Sequence, residues 1–327
     1  MKAILCKEWG LPADLVFGDA PRRPLQAGEI RLRVQAAGVN FADALLIAGK
    51  YQARPEFPFS PGFEAAGVVL ECAPDVTRVT PGQRVIAFGD YGAYAEEMVV
   101  VESSAIPIPD DVDFVMAASF GVAYSTSHLA LTHRGNLAAG ETLLVLGAAG
   151  GVGLAAIEIG KHLGATVIAA ASSAEKLQVA AEHGADHGIN YAAENLRRRV
   201  KELTGGRGAD VICDPVGGDL FDQAMRTLAV EGRILVIGFA SGRIPELPVN
   251  RLLLKNTSAV GVFWGAYLHI NPRLIQDSLA TLLNWYGKGA LRPHVSQTYP
   301  LEQAARALGD LLSRRATGRI VLTTGAN

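Results

Sequence analysis

The sequence predicts an α/β protein, in which a β-rich domain is combined with a doubly wound parallel sheet. From residue 142 onward, short apolar strands alternate with helices, which is typical of a parallel sheet. A glycine-rich turn separates the first of these strands from its helix. Before residue 120 the strands are short and are separated by Pro-Gly, Pro-Asp and Gly-Asp turn signals, a pattern that indicates a small, irregular β-barrel.

The glycine-rich turn is the feature around which the second part of the chain is arranged. The strand Thr142–Leu146 runs directly into Gly147–Gly153, and the apolar, helix-compatible segment 154–163 follows. A dinucleotide-binding βαβ unit needs this order, because glycines let backbone N–H groups approach a pyrophosphate at a helix N-terminus. Ala148 stands at the first glycine position of G-x-G-x-x-G, and an ordinary tight turn is the alternative. The turn residues expected to contact the cofactor are Ala149, Gly150, Gly151 and Val152.

Hydrophobic periodicity and turn residues predict the remaining elements. The expected strands are 29–39, 65–71, 83–88, 93–101, 166–171, 187–191, 210–213, 233–238 and 319–323, with 258–263 as a candidate addition. The expected helices are 41–48, 115–131, 175–183, 194–203, 219–228, 272–287 and 301–314. The tail does not continue the alternation, so we expect residues 1–122 and 264–327 to form one domain and residues 123–263 the other.

Composition argues against several classes of protein. The net charge of −2 gives no electrostatic reason to expect a nucleic acid or an anionic membrane as a partner. The three cysteines lie far apart, so neither a zinc ribbon nor a disulfide framework is indicated, and we expect a reducing, cytoplasmic compartment. The seven histidines show no metal-ligand spacing, and we therefore predict no metal site. The N-terminal apolar stretch is too short to predict a signal peptide.

The end of the second strand of the alternating region predicts the choice of cofactor. An NAD site usually carries an Asp or Glu there, about 20 residues past the glycines. Here the strand leads into Ser172 and Ser173, and the first acid is Glu175. Ser172 with Lys176 suits a 2′-phosphate, because a carboxylate would repel the phosphate whereas Lys supplies positive charge. We therefore expect NADPH. Ser172 and Glu175 forming a capping box is a structural alternative that can hold at the same time.

Six stretches together resemble the medium-chain dehydrogenase/reductase superfamily, and within it the zinc-free quinone oxidoreductase group. They read AGVNFAD at 37–43, GKY at 49–51, PGFEAAG at 61–67, PGQRV at 81–85, GAAGGVG at 147–153 and ATGRIV at 316–321. They follow the family order over nearly the whole chain. The resemblance implies a GroES-like barrel domain split around a central Rossmann domain, and a homodimer formed through the nucleotide domain.

The resemblance also bears on metal binding. Where the zinc alcohol dehydrogenases of the superfamily have the three ligands of their catalytic zinc, this sequence has Asn40, Phe63 and, approximately, Val122. The four-cysteine structural lobe of those enzymes is missing. A lone carboxylate cannot hold zinc, so Glu64 is expected to be a buried, hydrogen-bonded acid in the barrel. The resemblance therefore implies a zinc-independent protein.

Further roles are implied for residues that match the family. Asn40 is expected at the nicotinamide end of the cofactor, with a helix N-cap before Phe41 as its alternative role. Thr126 is expected near the cofactor. Lys176 and Tyr191 resemble a pair that contacts the 2′-phosphate, although an ordinary strand-end aromatic is the alternative for Tyr191. The remaining expected cofactor contacts are Arg319, approaching the 2′-phosphate from the tail, Phe239 and Ser241 after the fifth strand, and Phe263 near the nicotinamide, where Trp264 is equally consistent with core packing.

The resemblance implies an NADPH-dependent reductase of quinones or conjugated carbonyls. Tyr51 stands where related enoyl reductases carry a Tyr proposed as proton donor, and a Tyr that only lines an apolar cleft is its alternative. A reductase of 2-enoyl-CoA thioesters is a second interpretation, which a basic patch including Arg54, Arg251 or Arg273 would favour. A third is an NADPH-binding structural or nucleic-acid-binding protein, against which the net charge of −2 argues.

Overall fold

The computed structural model describes residues 1–325, which form two compact units. The first unit comprises Met1–Val122, Tyr267–Leu279 and the chain from Pro293 onward. The second unit comprises Ala123–Ala266 and Ala280–Arg292. This division differs from the expected boundary at 264, because a segment of the tail belongs to the second unit.

Aromatic packing and a backbone hydrogen bond attach that segment to the second unit. The ring of Trp285 lies 4.2 Å from that of His162 and 5.4 Å from that of His128, measured between centroids. The Arg292 N–H donates to the buried Glu158 carboxylate at 3.0 Å. Neither contact has a periodic signature in the sequence, so the alternation of strands and helices gave no sign of this boundary.

The structure has fifteen strands and ten α-helices within residues 1–325. The strands are β1 (Lys2–Leu5), β2 (Val16–Asp19), β3 (Glu29–Val39), β4 (Glu64–Cys72), β5 (Arg84–Phe88), β6 (Glu97–Val101), β7 (Ala105–Pro107), β8 (Thr142–Leu146), β9 (Thr166–Ala171), β10 (His187–Asn190), β11 (Ala209–Asp214), β12 (Leu228–Val236), β13 (Ser258–Gly261), β14 (Val295–Pro300) and β15 (Arg319–Thr323). The helices are α1 (Phe41–Ile47), α2 (Phe114–His128), α3 (Gly151–His162), α4 (Ala174–Glu182), α5 (Leu196–Leu203), α6 (Gly218–Ala224), α7 (Asn250–Leu253), α8 (Trp264–Ile270), α9 (Pro272–Gly287) and α10 (Ala304–Leu312).

Most of the predicted elements are present. The predicted bounds of β3, β8, β9, β15 and α9 agree with the structure. The strands β1, β2, β7 and β14 and the helices α7 and α8 were not predicted; of these, β1, β2, β7 and α7 are only three or four residues long. The predicted helix 219–228 ends at Ala224, since a 3₁₀ turn, Met225–Thr227, leads directly into β12.

The first unit is built on a seven-stranded sheet in the order β14-β15-β3-β4-β5-β7, with β6 also paired to β3. All pairs are antiparallel except β14 with β15. The C-terminal strand β15 lies against β3, and Ile320 is opposite Val39. The end of the chain therefore completes the sheet that its first hundred residues begin.

The second unit is a six-stranded parallel sheet in the order β10-β9-β8-β11-β12-β13. This order reverses between β8 and β11, and open α/β sheets bind ligands outside the carboxyl ends of their strands at such a point. All five residues of β8 are buried, as expected for a central parallel strand. The predicted α/β class with a doubly wound sheet is confirmed.

The helical stretch Phe114–Arg134 is long and apolar enough, by length and composition alone, to cross a membrane. Of its most apolar window, 72% is buried inside the protein. This degree of burial is the behaviour of a core helix.

Candidate functional site

The strand β8 passes into α3 through a tight turn. Gly147 has a φ of +60°, in the left-handed region that favours glycine. The Gly150 N–H donates to the Gly147 carbonyl at 3.0 Å, and α3 begins at the next residue. The conformational need for glycine therefore falls on Gly147, one position before Ala148, so an alanine is tolerated at the first glycine of the fingerprint.

The other two glycines of the fingerprint have different reasons. A Cβ on Gly153 would lie 2.4 Å from the Gly147 carbonyl oxygen, so the helix could not pack on the turn with any side chain there. A Cβ on Gly150 would meet only that same oxygen, at an ordinary 3.4 Å. The chain itself does not require glycine at Gly150, whereas a phosphate approaching the backbone does. The turn therefore fits the pyrophosphate of a dinucleotide.

The tip of β9 carries a serine and lysine pair. Ser173 is the N-cap of α4, because its Oγ accepts a hydrogen bond from the Lys176 N–H at 3.4 Å. The expected capping box of Ser172 with Glu175 is therefore wrong, since the capping serine is the next residue. Ser172 Oγ instead accepts from Lys176 Nζ at 3.3 Å. The structure thus brings together the two side chains that were expected at a 2′-phosphate.

Tyr191 directly follows β10 at the same edge of the sheet. Its N–H donates to the Ala171 carbonyl, the last residue of β9, at 3.1 Å. The side chain is half-buried and packs against the hydrophobic core of the second unit. The Tyr191 backbone therefore lies beside the tip of β9. Its packing fits an ordinary aromatic at the end of a strand, and a contact with the 2′-phosphate stays a prediction.

Phe239 and Ser241 lie on the segment after β12. This segment is bound to the segment after β11, because the Ala240 N–H donates to Pro215 O at 3.1 Å and the Ser241 N–H to Val216 O at 2.9 Å. These residues, like the β8–α3 turn, lie at the carboxyl edge of the parallel sheet.

The other expected contacts of the second unit are Phe263, which follows β13, and Thr126, which lies within α2. Phe263 follows β13 and is 45% exposed, whereas its neighbour Trp264 is only 7% exposed and packs as a core residue. Thr126 is buried within α2. The remaining expected site residues, Asn40, Tyr51 and Arg319, belong to the first unit.

A buried charged cluster lies in the first unit around Glu64, which is 0% exposed. Its Oε1 accepts hydrogen bonds from Asn40 Nδ2 at 2.9 Å and from a terminal nitrogen of Arg319. Its Oε2 accepts from the Val122 N–H at 2.7 Å. Glu64 is therefore a buried, hydrogen-bonded acid, as expected.

Arg319 does not fit its expected role at the 2′-phosphate. One terminal nitrogen donates to Glu64 and the other to Asn40 Oδ1 at 2.8 Å, and the residue is 6% exposed. The pairing of β15 with β3 sets it there, because Ile320 lies opposite Val39. The guanidinium therefore neutralises Glu64 inside the first unit.

Asn40 is at the N-cap position of α1, but Asp43 closes the cap. The Asn40 N–H donates to Asp43 Oδ2 at 2.6 Å, and the Asn40 side chain is directed to Glu64 and Arg319. Asp43 Oδ2 also accepts from Tyr94 OH at 2.7 Å. Burial raises the pKa of Asp43 to about 7, although these two hydrogen bonds act in the opposite direction. A contact between Asn40 and the nicotinamide stays a prediction.

Tyr51 is half-buried and packs against the hydrophobic core of the first unit. Its ring lies 4.9 Å from that of Phe63, measured between centroids. Burial raises the pKa of Tyr51 to about 12, and the nearby Asp43 and Asp90 add to this shift. The phenol therefore keeps its proton at neutral pH, so it can donate a hydrogen bond.

The three positions that resemble zinc ligands have other roles in this structure. Asn40 contributes an amide to the cluster, Phe63 packs on Tyr51, and Val122 supplies a main-chain N–H to Glu64. Among residues 1–325, no group of three or more His, Cys, Asp or Glu side chains is placed to hold a metal ion.

Two family models match different segments of the chain. Residues 26–110 match the model described as the alcohol dehydrogenase GroES-like domain, and residues 151–284 match the one described as zinc-binding dehydrogenase. The quinone oxidoreductase-like protein 2 of Bos taurus is 42% identical over 323 residues, which cover 98% of this chain and 92% of that protein.

Solved structures resemble the whole chain. The quinone oxidoreductase of Escherichia coli, in complex with NADPH, has a TM-score of 0.93 at 29% identity and covers 99% of this chain and 100% of its own. A 2-haloacrylate reductase has a TM-score of 0.87 at 32% identity, covering 100% of both chains. Both domains of the predicted architecture are thus matched together.

Removing the cation of the Glu64 cluster should strongly lower the stability of the protein. Arg319→Met leaves the Glu64 carboxylate buried without its counter-ion, so we expect the free energy of unfolding to fall by about 3–5 kcal/mol. Adding Glu64→Gln removes the uncompensated charge and should recover part of that loss. Urea unfolding of the single and double variants measures both effects.

The matched control is Arg273→Met, because the Arg273 side chain is 87% exposed and its nearest acid, Asp277, is 3.8 Å away. Its effect should stay within about 0.5 kcal/mol. An Arg319→Met protein as stable as this control would contradict the role of the ion pair.

Proposed function

Because the chain belongs to the zinc-free quinone oxidoreductase group of the medium-chain dehydrogenase/reductase superfamily, we propose that it is an NADPH-dependent, zinc-independent reductase of quinones or α,β-unsaturated carbonyls. The observation that carries this proposal is the carboxyl edge of the parallel sheet. There the β8–α3 turn leaves room for a pyrophosphate at Gly150, and Lys176 lies with Ser172 where an NAD site would hold an acid. NADPH complexed with the Escherichia coli relative supports the same choice of cofactor.

The activities named for two of the structural relatives support the proposed substrates. One is a quinone oxidoreductase and the other a 2-haloacrylate reductase, whose substrate carries a carbon–carbon double bond conjugated to a carboxylate. NADPH, when bound, supplies a hydride for either reaction. The charge then develops on a substrate oxygen, and Tyr51 holds the proton at Oη that stabilises this oxygen by hydrogen bonding.

A substrate screen tests the proposed activity. NADPH oxidation is followed with p-benzoquinone, with a simple enone and with a 2-enoyl-CoA, each with and without phenanthroline. We expect turnover of the quinone or the enone that survives the chelator, and no stoichiometric zinc by elemental analysis. Turnover of only the thioester would favour an enoyl-CoA reductase. Tight NADPH binding without any turnover would favour a binding protein.

We also propose that the protein is a cytoplasmic homodimer. The strand β13 ends the parallel sheet, and the apolar side chains of Val249, Leu253 and Leu254 nearby in sequence are each more than 75% exposed. A second copy would cover such a surface. The molar mass in solution, measured by light scattering, would contradict the dimer if it equals that of one chain.

The cysteines support the proposed compartment. Cys6, Cys72 and Cys213 are free thiols in the structure, which suits a reducing compartment.

Lys176 should decide between the two nicotinamide cofactors. Lys176→Ala removes a charge-assisted contact that only the 2′-phosphate makes, worth roughly 1.5–3 kcal/mol. NADPH affinity should fall about 10- to 150-fold, whereas NADH affinity should hardly change. Fluorescence titration with both cofactors measures the difference.

Two further variants sharpen this comparison. Ser172→Asp should weaken NADPH binding more than Ser172→Ala, because it adds repulsion to the loss of a hydroxyl. Lys201→Ala, which removes an exposed lysine on α5, is the control for general charge effects. Equal losses for NADPH and NADH in Lys176→Ala would show that Lys176 does not contact the 2′-phosphate.

Tyr51 should matter more for enones than for quinones. Tyr51→Phe keeps the ring and removes the hydroxyl, so NADPH affinity should not change. A hydrogen-bond donor or general acid at a developing oxyanion contributes about 10²–10⁴-fold, and we expect kcat with an enone to fall within that range. A quinone should lose less, because its hydroquinone anion is stabilised by the aromatic ring. Steady-state kinetics with both substrates measures the ratio.

Tyr91→Phe removes a hydroxyl from an exposed tyrosine of the same unit and is the matched control. If kcat falls only slightly and equally for both substrates in Tyr51→Phe, Tyr51 lines the substrate site without donating a hydrogen bond to the substrate. Large and equal losses together with weaker NADPH binding would point to a displaced cofactor.

A further inference from the structure

Asp214 ends β11, the strand next to β8 at the point where the sheet order reverses. The residue is 1% exposed. Its Oδ1 accepts hydrogen bonds from the Val216 N–H at 2.8 Å and from the Gly217 N–H at 2.9 Å. Gly217 and Gly218 have φ values of +67° and +59°, so the chain turns sharply here. One buried carboxylate oxygen thus fixes the turn at 214–218.

This turn touches the β8–α3 turn at Gly147–Gly150, called here the phosphate turn because the pyrophosphate is proposed to bind there. A Cβ on Gly147 would lie 2.8 Å from Cγ2 of Val216, so the Val216 side chain rests directly on the first glycine of the β8–α3 connection. A movement of the Val216 side chain would therefore change the packing against Gly147. The left-handed conformation of Gly147 sets the course of the chain into α3.

The same turn also holds the segment of Phe239 and Ser241. Besides the two hydrogen bonds to Pro215 and Val216 given above, the Ile237 N–H donates to Asp214 O at 3.0 Å. The packing is equally close, because a Cβ on Gly217 would lie 2.8 Å from the Phe239 ring and one on Gly218 2.6 Å from Ser241 Oγ. The turn at 214–218 is therefore shared by two segments that were expected to contact the cofactor.

We propose that Asp214 is a positioning residue for the dinucleotide: by fixing the turn at 214–218, it sets the phosphate turn and the Phe239–Ser241 segment in register with each other. The inference rests on the proposed NADPH site. Asp214 acts through its neighbours, because its side chain is buried. Its Oδ2 is also buried and accepts no hydrogen bond from residues 1–325, and burial raises the pKa of the carboxyl. Burying this carboxyl group costs free energy, and the two hydrogen bonds that its Oδ1 accepts in the turn offset part of that cost.

The experiment compares cofactor affinity with stability. NADPH and adenosine 2′,5′-bisphosphate are titrated into wild type, Asp214→Ala and Asp214→Asn, and urea unfolding is measured for each. Asp214→Ala should bind NADPH about tenfold more weakly, the equivalent of one or two lost hydrogen bonds. Asp214→Asn keeps an acceptor at Oδ1 and should bind almost as wild type. The bisphosphate lacks the nicotinamide half, so its affinity should fall less than that of NADPH.

The control is Asp219→Ala, since the Asp219 side chain is 92% exposed and pairs with Arg243 at the surface. A folded Asp214→Ala protein that is less stable but binds NADPH as wild type would overturn the positioning role. If that variant does not fold, Val216→Ala, which removes only the contact with Gly147, should weaken NADPH binding severalfold, and unchanged affinity there would overturn it. A wild-type protein without NADPH affinity would refute the proposed function itself.

Discussion

The burial of the Glu64 charge is the constraint on which the first unit depends. A carboxylate with no solvent exposure is stable only when a cation and hydrogen-bond donors surround it. Here the cation comes from Arg319, 255 residues along the chain, and the other donors come from Asn40 and Val122. Arg319 is the first residue of β15, Asn40 lies between β3 and α1, and Val122 lies within α2. A single desolvated charge therefore requires the C-terminal strand to return to the sheet that the N-terminal residues form.

The sequence predicted the elements well and the role of Arg319 poorly, for related physical reasons. Strands such as β3 and β9 carry local apolar patterns that identify them without knowledge of their neighbours. The partner of a charged residue is not local. Only the pairing of Ile320 with Val39 places Arg319 beside Asn40 and Glu64, and this register is absent from any pattern within ATGRIV. The family resemblance placed Arg319 at the 2′-phosphate, whereas in the structure its charge neutralises a buried acid.

The candidate dinucleotide site shows the same division. The β8–α3 turn and the Ser172–Lys176 pair were predicted, because each depends on residues within one short segment. The link from the turn at Asp214 to the Phe239–Ser241 segment was missed, since backbone hydrogen bonds between residues distant in sequence make it. Two consecutive glycines after Pro215 were the available signal, and both adopt positive φ. Side-chain chemistry can be read from a sequence, whereas contacts between loops need the fold.

The environment of Tyr51 links the first unit to the proposed chemistry. Partial burial against Phe63 and the nearby acids Asp43 and Asp90 raises its pKa to about 12, which weakens the phenol as an acid. The same desolvation lowers the local dielectric, so a hydrogen bond from the phenol to a developing oxyanion becomes stronger than it would be in water. In the proposed reaction, Tyr51 is therefore better suited to hold its proton between two oxygens than to release it. A reaction whose product anion is poorly stabilised gains most from such a donor, because the hydrogen bond strengthens as the charge on the substrate oxygen grows.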